Sequence, residues 1–197
     1  TSVYGGNAPV LPRAIDIAES QAEAIGNGSA YFGGHPTDDH IVTPKMSINF
    51  NSFSISLWAK PVSFSSDDAF ICIADTDSND EELLLYNRAA GNHQFSAYLP
   101  DPNTEYNSTY EIPEGEWSHL VFTKSGDSLK LYANGIEVKS GSCVNNNTYS
   151  RNIFIGARKQ SDIQLDMNTY IAGVGIWQGA LTQAQIQSVM ESTSYAK

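Results

Sequence analysis

The sequence predicts an all-β domain: an antiparallel jelly-roll sandwich of two sheets, followed by one short C-terminal helix. Three observations indicate this class. Short apolar segments, some alternating with Ser, Thr or Asn, are separated by turn residues along most of the 197-residue chain. Asn134-Gly135 lies between two such segments, as in a two-residue β-hairpin. Helical periodicity is clearest at the end of the chain, from Thr182 onward. Many short strands with one terminal helix are typical of sandwiches and jelly rolls.

The beginning of the chain differs from the rest. Residues 1–25 contain Gly5-Gly6 and two prolines and are interpreted as a lead-in or linker segment, although a short helix over residues 14–25 stays an alternative. Residues 26–197 are predicted to form a single domain, because this length suits one β-sandwich.

The predicted strands follow one another from residue 29 to residue 177. Residues 54–60 alternate polar and apolar side chains before Pro61 ends the strand. Residues 70–74 and 83–86 are continuous apolar runs, which is typical of buried central strands, and the acidic segment between them predicts a hairpin. The other strands are predicted at residues 29–32, 40–42, 94–99, 117–124, 129–133, 136–139, 152–156 and 170–177.

The predicted helix begins at Thr182. Gln185 lies three residues later, which is the spacing of a capping box. Ile186, Val189 and Met190 then fall on one helical face, so this face is predicted to pack against a sheet.

Several segments resemble motifs of one family. They are Gly-Ser-Ala-Tyr-Phe-Gly-Gly and Asp-Asp-His-Ile at residues 28–34 and 38–41, Phe-Ser-Ile-Ser-Leu-Trp-Ala-Lys-Pro at residues 53–61, and Trp-Ser-His-Leu and Leu-Tyr-Ala-Asn-Gly at residues 117–120 and 131–135. Together they resemble laminin-G-like jelly-roll domains of the concanavalin A-like lectin/glucanase superfamily, over roughly residues 26–192. The lead-in is also similar to segments that precede such domains in bacteriophage structural proteins. The resemblance implies the fold and leaves the ligand open.

The charge of the chain excludes some partners. Eleven Lys and Arg residues against 22 Asp and Glu residues give a formal net charge of −11. Such a chain repels nucleic-acid phosphates and anionic membrane surfaces. Its apolar runs are too short for a bilayer-spanning segment, so no membrane insertion is expected. The low share of charged residues, 17%, is typical of secreted or virion proteins, so an extracellular or virion-surface location is expected.

The distribution of carboxylates argues against catalysis. A glycosidase needs two carboxyl groups that flank one glycosidic bond. Glu81 and Glu82 are adjacent, and a regular strand would direct them to opposite faces. The chain is therefore predicted not to be an enzyme, and His119, beside Trp117 on a strand, is interpreted as a packed structural histidine.

Calcium is the predicted cofactor. Oxygen-bearing side chains at alternating and consecutive positions in the loop after residue 74 suit the six to eight oxygen ligands of Ca²⁺. A solvated acidic hairpin tip is the alternative. The candidate ligands are Asp75, Asp77, Asn79, Asp80 and Glu82.

Carbohydrate binding would use aromatic faces together with fixed amide groups. Trp58, Trp117 and Trp177 lie in the strand motifs and are expected in the core. The candidate ligand-binding residues, expected in polar loops, are Tyr106, Tyr110, Tyr149 and Asn146.

The chain contains two cysteines, Cys72 and Cys143. A disulfide between them and a pair of free thiols are both open, and neither residue has the neighbours of a catalytic thiol.

These observations predict a non-catalytic recognition module that binds a glycan or a cell-surface or virion protein through its rim loops, with Ca²⁺ shaping one of them. The alternative is a structural or decoration component of a virion or extracellular assembly. In that case Thr1–Arg13 would dock the domain, and the domain could form a homo-oligomer.

Overall fold

The structure is a computed structural model that describes residues 29–33, 39–64, 67–78, 80–160, 162–164 and 167–193. The predicted lead-in, including the docking segment Thr1–Arg13, lies outside the described residues.

The described chain consists of fifteen β-strands, a short 3₁₀ turn at Ala89–Gly91 and one α-helix. The elements in chain order are β1 Ala30–Phe32, β2 Ile41–Val42, β3 Met46–Asn49, β4 Ser52–Pro61, β5 Ala69–Ala74, β6 Glu81–Arg88, β7 Gln94–Leu99, β8 Thr104–Glu111, β9 Ser118–Ser125, β10 Ser128–Ala133, β11 Ile136–Ser142, β12 Thr148–Ile155, β13 Arg158–Lys159, β14 Ile163–Gln164, β15 Thr169–Trp177 and α1 Gln183–Ser192.

Thirteen of these strands form two antiparallel sheets, and β13 pairs with β14 in a separate two-stranded sheet. The six-stranded sheet has the order β1-β15-β4-β9-β10-β11. The seven-stranded sheet has the order β2-β12-β5-β6-β7-β8, and β3 also pairs with β12. Strands that are far apart in the sequence are neighbours in both sheets, as in a jelly roll. The predicted two-sheet sandwich with a C-terminal helix is confirmed.

The main hydrophobic core lies between the sheets. In β4 the inward residues are Phe53, Ile55, Leu57 and Ala59, all buried, as the alternating sequence predicts. β5 and β6 are apolar on both faces, and a second buried cluster that includes Leu84 and Phe154 covers the outer face of the seven-stranded sheet.

The predicted hairpin and helix are both present. Asn134 and Gly135 have φ values of 50° and 77°, the left-handed conformation that a two-residue turn between β10 and β11 requires. The Thr182 side chain accepts a hydrogen bond from the Gln185 backbone, and the Gln185 side chain accepts one from the Thr182 backbone. The helix packs on the outer face of the six-stranded sheet, where Ile186 and Val189 join a buried cluster.

One segment that was predicted to be a loop forms a strand in the structure. Residues 101–111 were expected to form a polar loop, but residues 104–111 are strand β8 at the edge of the seven-stranded sheet. The strand is polar because alternate residues face solvent, while Tyr106 and Ser108 are buried. No helix of the described residues is long and apolar enough to cross a membrane.

Candidate functional site

An open cleft of about 500 Å³ lies where β6 begins and β7 ends, two neighbouring inner strands of the seven-stranded sheet. Consecutive residues at the start of β6 form one part of it, and β7, the segment after β7 and the segment after β13 form the rest. Its lining residues are Asp80, Glu81, Glu82, Tyr98, Pro100 and Gln160. The cleft therefore combines carboxylates, an aromatic side chain and an amide, groups that can contact a polar ligand.

An irregularity in the β5–β6 pairing explains why two adjacent glutamates line the same cleft. Ile73 pairs with Leu83, but Ala74 pairs with Glu81, so Glu82 is an extra residue at a β-bulge. A regular strand would direct Glu81 and Glu82 to opposite faces. The prediction that these two carboxylates point apart is therefore wrong.

Glu81 is held by Arg158. Arg158 Nε and Nη2 donate to the two carboxylate oxygens of Glu81 at 3.0 and 2.8 Å, which is the two-point geometry that fixes a carboxylate. The Arg158 guanidinium also lies over the Tyr98 ring, 5.6 Å from its centroid. The Tyr98 hydroxyl donates to Asn103 Oδ1 at 2.8 Å. Glu81, Arg158 and Tyr98 are thus held in one arrangement.

Glu82 is held by Arg151. Arg151 Nη2 and Nε donate to Glu82 Oε1 at 2.8 and 3.1 Å. Burial raises the pKa of Glu82 above the usual value of a glutamate, although hydrogen bonding and charge from Arg151 act in the opposite direction. Arg151 also lies 3.5 Å from Asp75 and 3.6 Å from Asp80, so one guanidinium serves three carboxylates.

Several of the predicted calcium ligands form ion pairs with basic side chains of the protein. Lys45 Nζ lies 2.8 Å from oxygens of both Asp75 and Asp77. The hydrogen bond from Lys45 lowers the pKa of Asp75. Among the described residues, no three His, Cys, Asp or Glu side chains are grouped as metal ligands, and Asn79 lies outside that part of the chain. Calcium binding stays a prediction, and it would compete with Lys45 and Arg151.

The predicted ligand-binding tyrosines lie in strands. Tyr106 is 5% exposed, and its hydroxyl donates to the Ser142 carbonyl at 2.7 Å. Tyr110 is half-buried, with its hydroxyl 2.8 Å from Ser118 Oγ. Tyr149 is half-buried in β12 and packs edge-on against Phe50. The expectation of loop tyrosines with exposed faces is therefore wrong, because alternation within strands turns these rings toward the core.

Asn146 lies in a loop, as predicted, but its side chain is engaged within the protein. Its Oδ1 accepts a hydrogen bond from the buried Lys124 at 2.8 Å, and its Nδ2 donates to Asp127 at 2.8 Å. These contacts give Asn146 a structural role, and it is not among the residues that line the cleft.

The two cysteines are free and buried. Cys72 lies on the outer face of the seven-stranded sheet, where its Sγ donates to Glu81 Oε1 at 3.5 Å. Cys143 belongs to the core between the sheets. The alternative of a disulfide between them is wrong, because the two side chains belong to different buried clusters.

The sequence prediction missed the cleft residues Tyr98, Pro100 and Gln160. It also missed Arg151 and Arg158, which hold the two glutamates. A signal exists for Tyr98 and for both arginines. Tyr98 alternates with the core residues Ala97 and Leu99, so its outward direction follows from the strand period. Arg151 and Arg158 are two of only eleven basic residues and flank one apolar run, residues 153–157.

Comparisons with known proteins agree with this fold. The family model described as the concanavalin A-like lectin/glucanases superfamily matches residues 33–187. No match was found among curated proteins.

Solved structures show the same sandwich at low sequence identity. Domain 4 of AbnA, a GH43 extracellular arabinanase from Geobacillus stearothermophilus solved in complex with arabinotriose, is 24% identical, with a TM-score of 0.61 and coverage of 83% of this chain and 82% of that one. The heptameric SAP-like pentraxin of Limulus polyphemus is 19% identical, with a TM-score of 0.65 and coverage of 81% and 79%. The botulinum neurotoxin serotype C1 binding domain is 17% identical, with a TM-score of 0.63 and coverage of 85% and 44%.

Proposed function

Because the chain belongs to the concanavalin A-like lectin/glucanases superfamily, we propose that it is a non-catalytic carbohydrate-recognition domain that binds an oligosaccharide in the cleft of Glu81, Glu82, Tyr98 and Gln160. The observation that carries this proposal is the convergence of fixed polar groups and one aromatic side chain in the same cleft.

The chemistry of the cleft suits sugar hydroxyls. A hydroxyl both donates and accepts hydrogen bonds, and the cleft offers the carboxylate acceptors of Glu81 and Glu82 and the amide of Gln160, a group that can donate and accept. Arg158 and Arg151 hold Glu81 and Glu82 in place before any ligand arrives. A preorganised site loses little conformational entropy on binding, so modest contacts can give useful affinity.

The ion pairs favour binding over hydrolysis. A glycosidase requires one carboxyl group that protonates the leaving oxygen and a second that acts as nucleophile or base. The raised pKa of Glu82 would suit the first role. However, Arg158 engages both oxygens of Glu81, and Arg151 donates twice to Glu82. Both carboxylates are therefore arranged as fixed acceptors.

Two structural relatives support this proposal. The arabinanase domain was solved in complex with arabinotriose, and that enzyme is extracellular. Another botulinum neurotoxin of type C, with 17% identity and a TM-score of 0.60, depends on interaction with two ganglioside molecules for cell entry. We extend these properties to the present chain as part of the proposal: its partner is a glycan and its location is extracellular.

A glycan array followed by calorimetry tests the proposal. We expect at least one neutral oligosaccharide to bind, and Tyr98→Ala or Gln160→Leu to weaken that binding by roughly tenfold or more, which corresponds to about 1.4 kcal/mol. Ile136→Ala is the matched control, because Ile136 is 64% exposed at the β10–β11 turn of the other sheet. Retained affinity in both cleft variants would contradict the proposal. Release of new reducing ends from a bound oligosaccharide would contradict the non-catalytic part.

A further inference from the structure

A second aromatic surface lies on the opposite sheet. Tyr31 in β1 and Tyr170 in β15 are directly paired across the two strands, and their ring centroids are 4.9 Å apart. Tyr31 is 48% exposed and Tyr170 is 36% exposed, although tyrosine rings elsewhere in the sandwich, such as Tyr86 and Tyr106, are buried. We call these two side chains the Tyr31–Tyr170 platform.

A lysine continues the platform on the next strand. Lys60 in β4 is the direct partner of Tyr170, so Tyr31, Tyr170 and Lys60 form one row across three strands. Side chains that are directly opposite in antiparallel strands share a face and lie about 5 Å apart at Cβ. Lys60 is partly exposed. The Lys60 side chain therefore begins beside that of Tyr170 on the same face of the sheet.

The polar groups beside the platform are fixed. The Tyr31 hydroxyl donates to Asn168 Oδ1 at 2.6 Å, and Asn168 Nδ2 donates to Ser63 Oγ at 2.7 Å. The Tyr31 hydroxyl oxygen retains its capacity to accept a hydrogen bond. Its position, and hence that of the Tyr31 ring, is set by Asn168.

The charge of Lys60 distinguishes this surface from the cleft. The chain has twice as many acidic as basic residues, and most described basic side chains that face solvent are paired with a carboxylate. Among the ion pairs of the described residues, none includes Lys60. The row thus offers a positive charge that is not neutralised by an ion pair there, whereas the cleft contains Asp80, Glu81 and Glu82.

We propose that the row of Tyr31, Tyr170 and Lys60 is a second saccharide-binding surface, which takes a sugar that carries a carboxylate. The rings contact the apolar C–H face of the sugar, and Lys60 binds the carboxylate. This surface lies on the six-stranded sheet. Its proposed ligand is anionic, whereas the oligosaccharide expected in the cleft is neutral. It does not require the cleft to bind a sugar.

The test uses matched pairs of probes on the full chain. Trigalacturonic acid is compared with its methyl ester, and 3′-sialyllactose is compared with lactose, by NMR titration at low salt. We expect each acid to bind more tightly than its neutral partner, by about fivefold, because an exposed ion pair contributes up to about 1 kcal/mol. The preference should disappear near 1 M salt, where the screening length falls to about 3 Å.

Substitutions assign the effect to the row. Tyr31→Ala and Tyr170→Ala should each weaken binding of both acids by roughly tenfold, as expected for the loss of an aromatic contact. Lys60→Met should remove the preference for the acid, and Lys60→Arg should retain it. Ile136→Ala, in the edge strand at the other side of the same sheet, is the control and should leave the titration of both acids unchanged.

Several results would overturn this assignment. One is equal affinity for acid and ester, and another is acid binding that survives both tyrosine substitutions. A third is a dimer in sedimentation that Tyr31→Ala dissociates, because a second copy of the chain would then be the occupant.

Discussion

His119 makes the stability of this fold depend on pH. Its side chain is 0% exposed, lies against the Trp58 indole with ring centroids 5.1 Å apart, and has no hydrogen-bond partner for either ring nitrogen among the described residues. Burial lowers its pKa from 6.5 to about 4. The expectation of a packed structural histidine agrees with this environment. Replacing it by Phe or Gln removes the titrating group.

The sign and size of the effect follow from the two pKa values. Below pH 6.5 His119 becomes protonated in the unfolded chain, whereas in the native chain it stays neutral down to about pH 4. The free energy of unfolding therefore falls as the pH is lowered from 6.5 to 4. Below that interval His119 is protonated in both states and causes no further change. At about 1.4 kcal/mol for each pH unit, the loss is about 3 kcal/mol. That is a large part of the 5–15 kcal/mol that typically stabilises a domain.

Urea unfolding measured between pH 7.5 and pH 4 tests this expectation. The native chain should lose about 3 kcal/mol more than either His119→Phe or His119→Gln over that range, because the carboxylates titrate equally in all three proteins. His119→Phe should be at least as stable as the native chain at pH 4. If the three pH profiles are parallel, His119 is not buried in its neutral form and the described packing is incorrect.

Three further changes test separate parts of the structure. Thr182→Ala should cost about 1 kcal/mol of unfolding free energy, because it removes the capping box of α1, and an unchanged urea midpoint would contradict this. Arg158→Met should lower the free energy of unfolding by about 2–3 kcal/mol, because the buried Glu81 loses its ion pair. The double variant Arg158→Met/Glu81→Leu should recover most of that loss. A double variant as unstable as the single one would contradict the role of the ion pair. Millimolar Ca²⁺ should raise the melting temperature of the native chain, and more so that of Lys45→Met, where Asp75 and Asp77 lose the lysine that competes with the ion; no rise in either protein would contradict the calcium site.

Much of the sandwich could be predicted because local signals and the fold agree. The alternation in residues 54–60, the apolar runs of β5 and β6 and the Asn134-Gly135 turn each indicate a single local structure. The capping box places the start of α1 within one residue. Strand β8 was missed because an edge strand buries only part of one face, so its composition is that of a loop.

The cleft could not be predicted from local patterns. Arg158 contacts Glu81, which is 77 residues away in the sequence, and Arg151 contacts Glu82, which is 69 residues away. The Arg151 contact arises because β12, β5 and β6 are successive strands of the sheet, and the Arg158 contact arises because β13 lies against β5. The sequence shows neither arrangement. The bulge that brings Glu82 into the same cleft as Glu81 depends on the register of β5 and β6 and leaves no signal in composition.

A crystal structure with a bound oligosaccharide would test the central claim most directly. The ligand is the neutral sugar with the highest affinity on the glycan array, soaked or co-crystallised with the native chain. We predict that it lies in the cleft, in contact with Tyr98 and hydrogen-bonded to Gln160 and to a carboxylate of Glu81 or Glu82. A neutral sugar bound elsewhere, with the cleft filled only by solvent, would contradict the account.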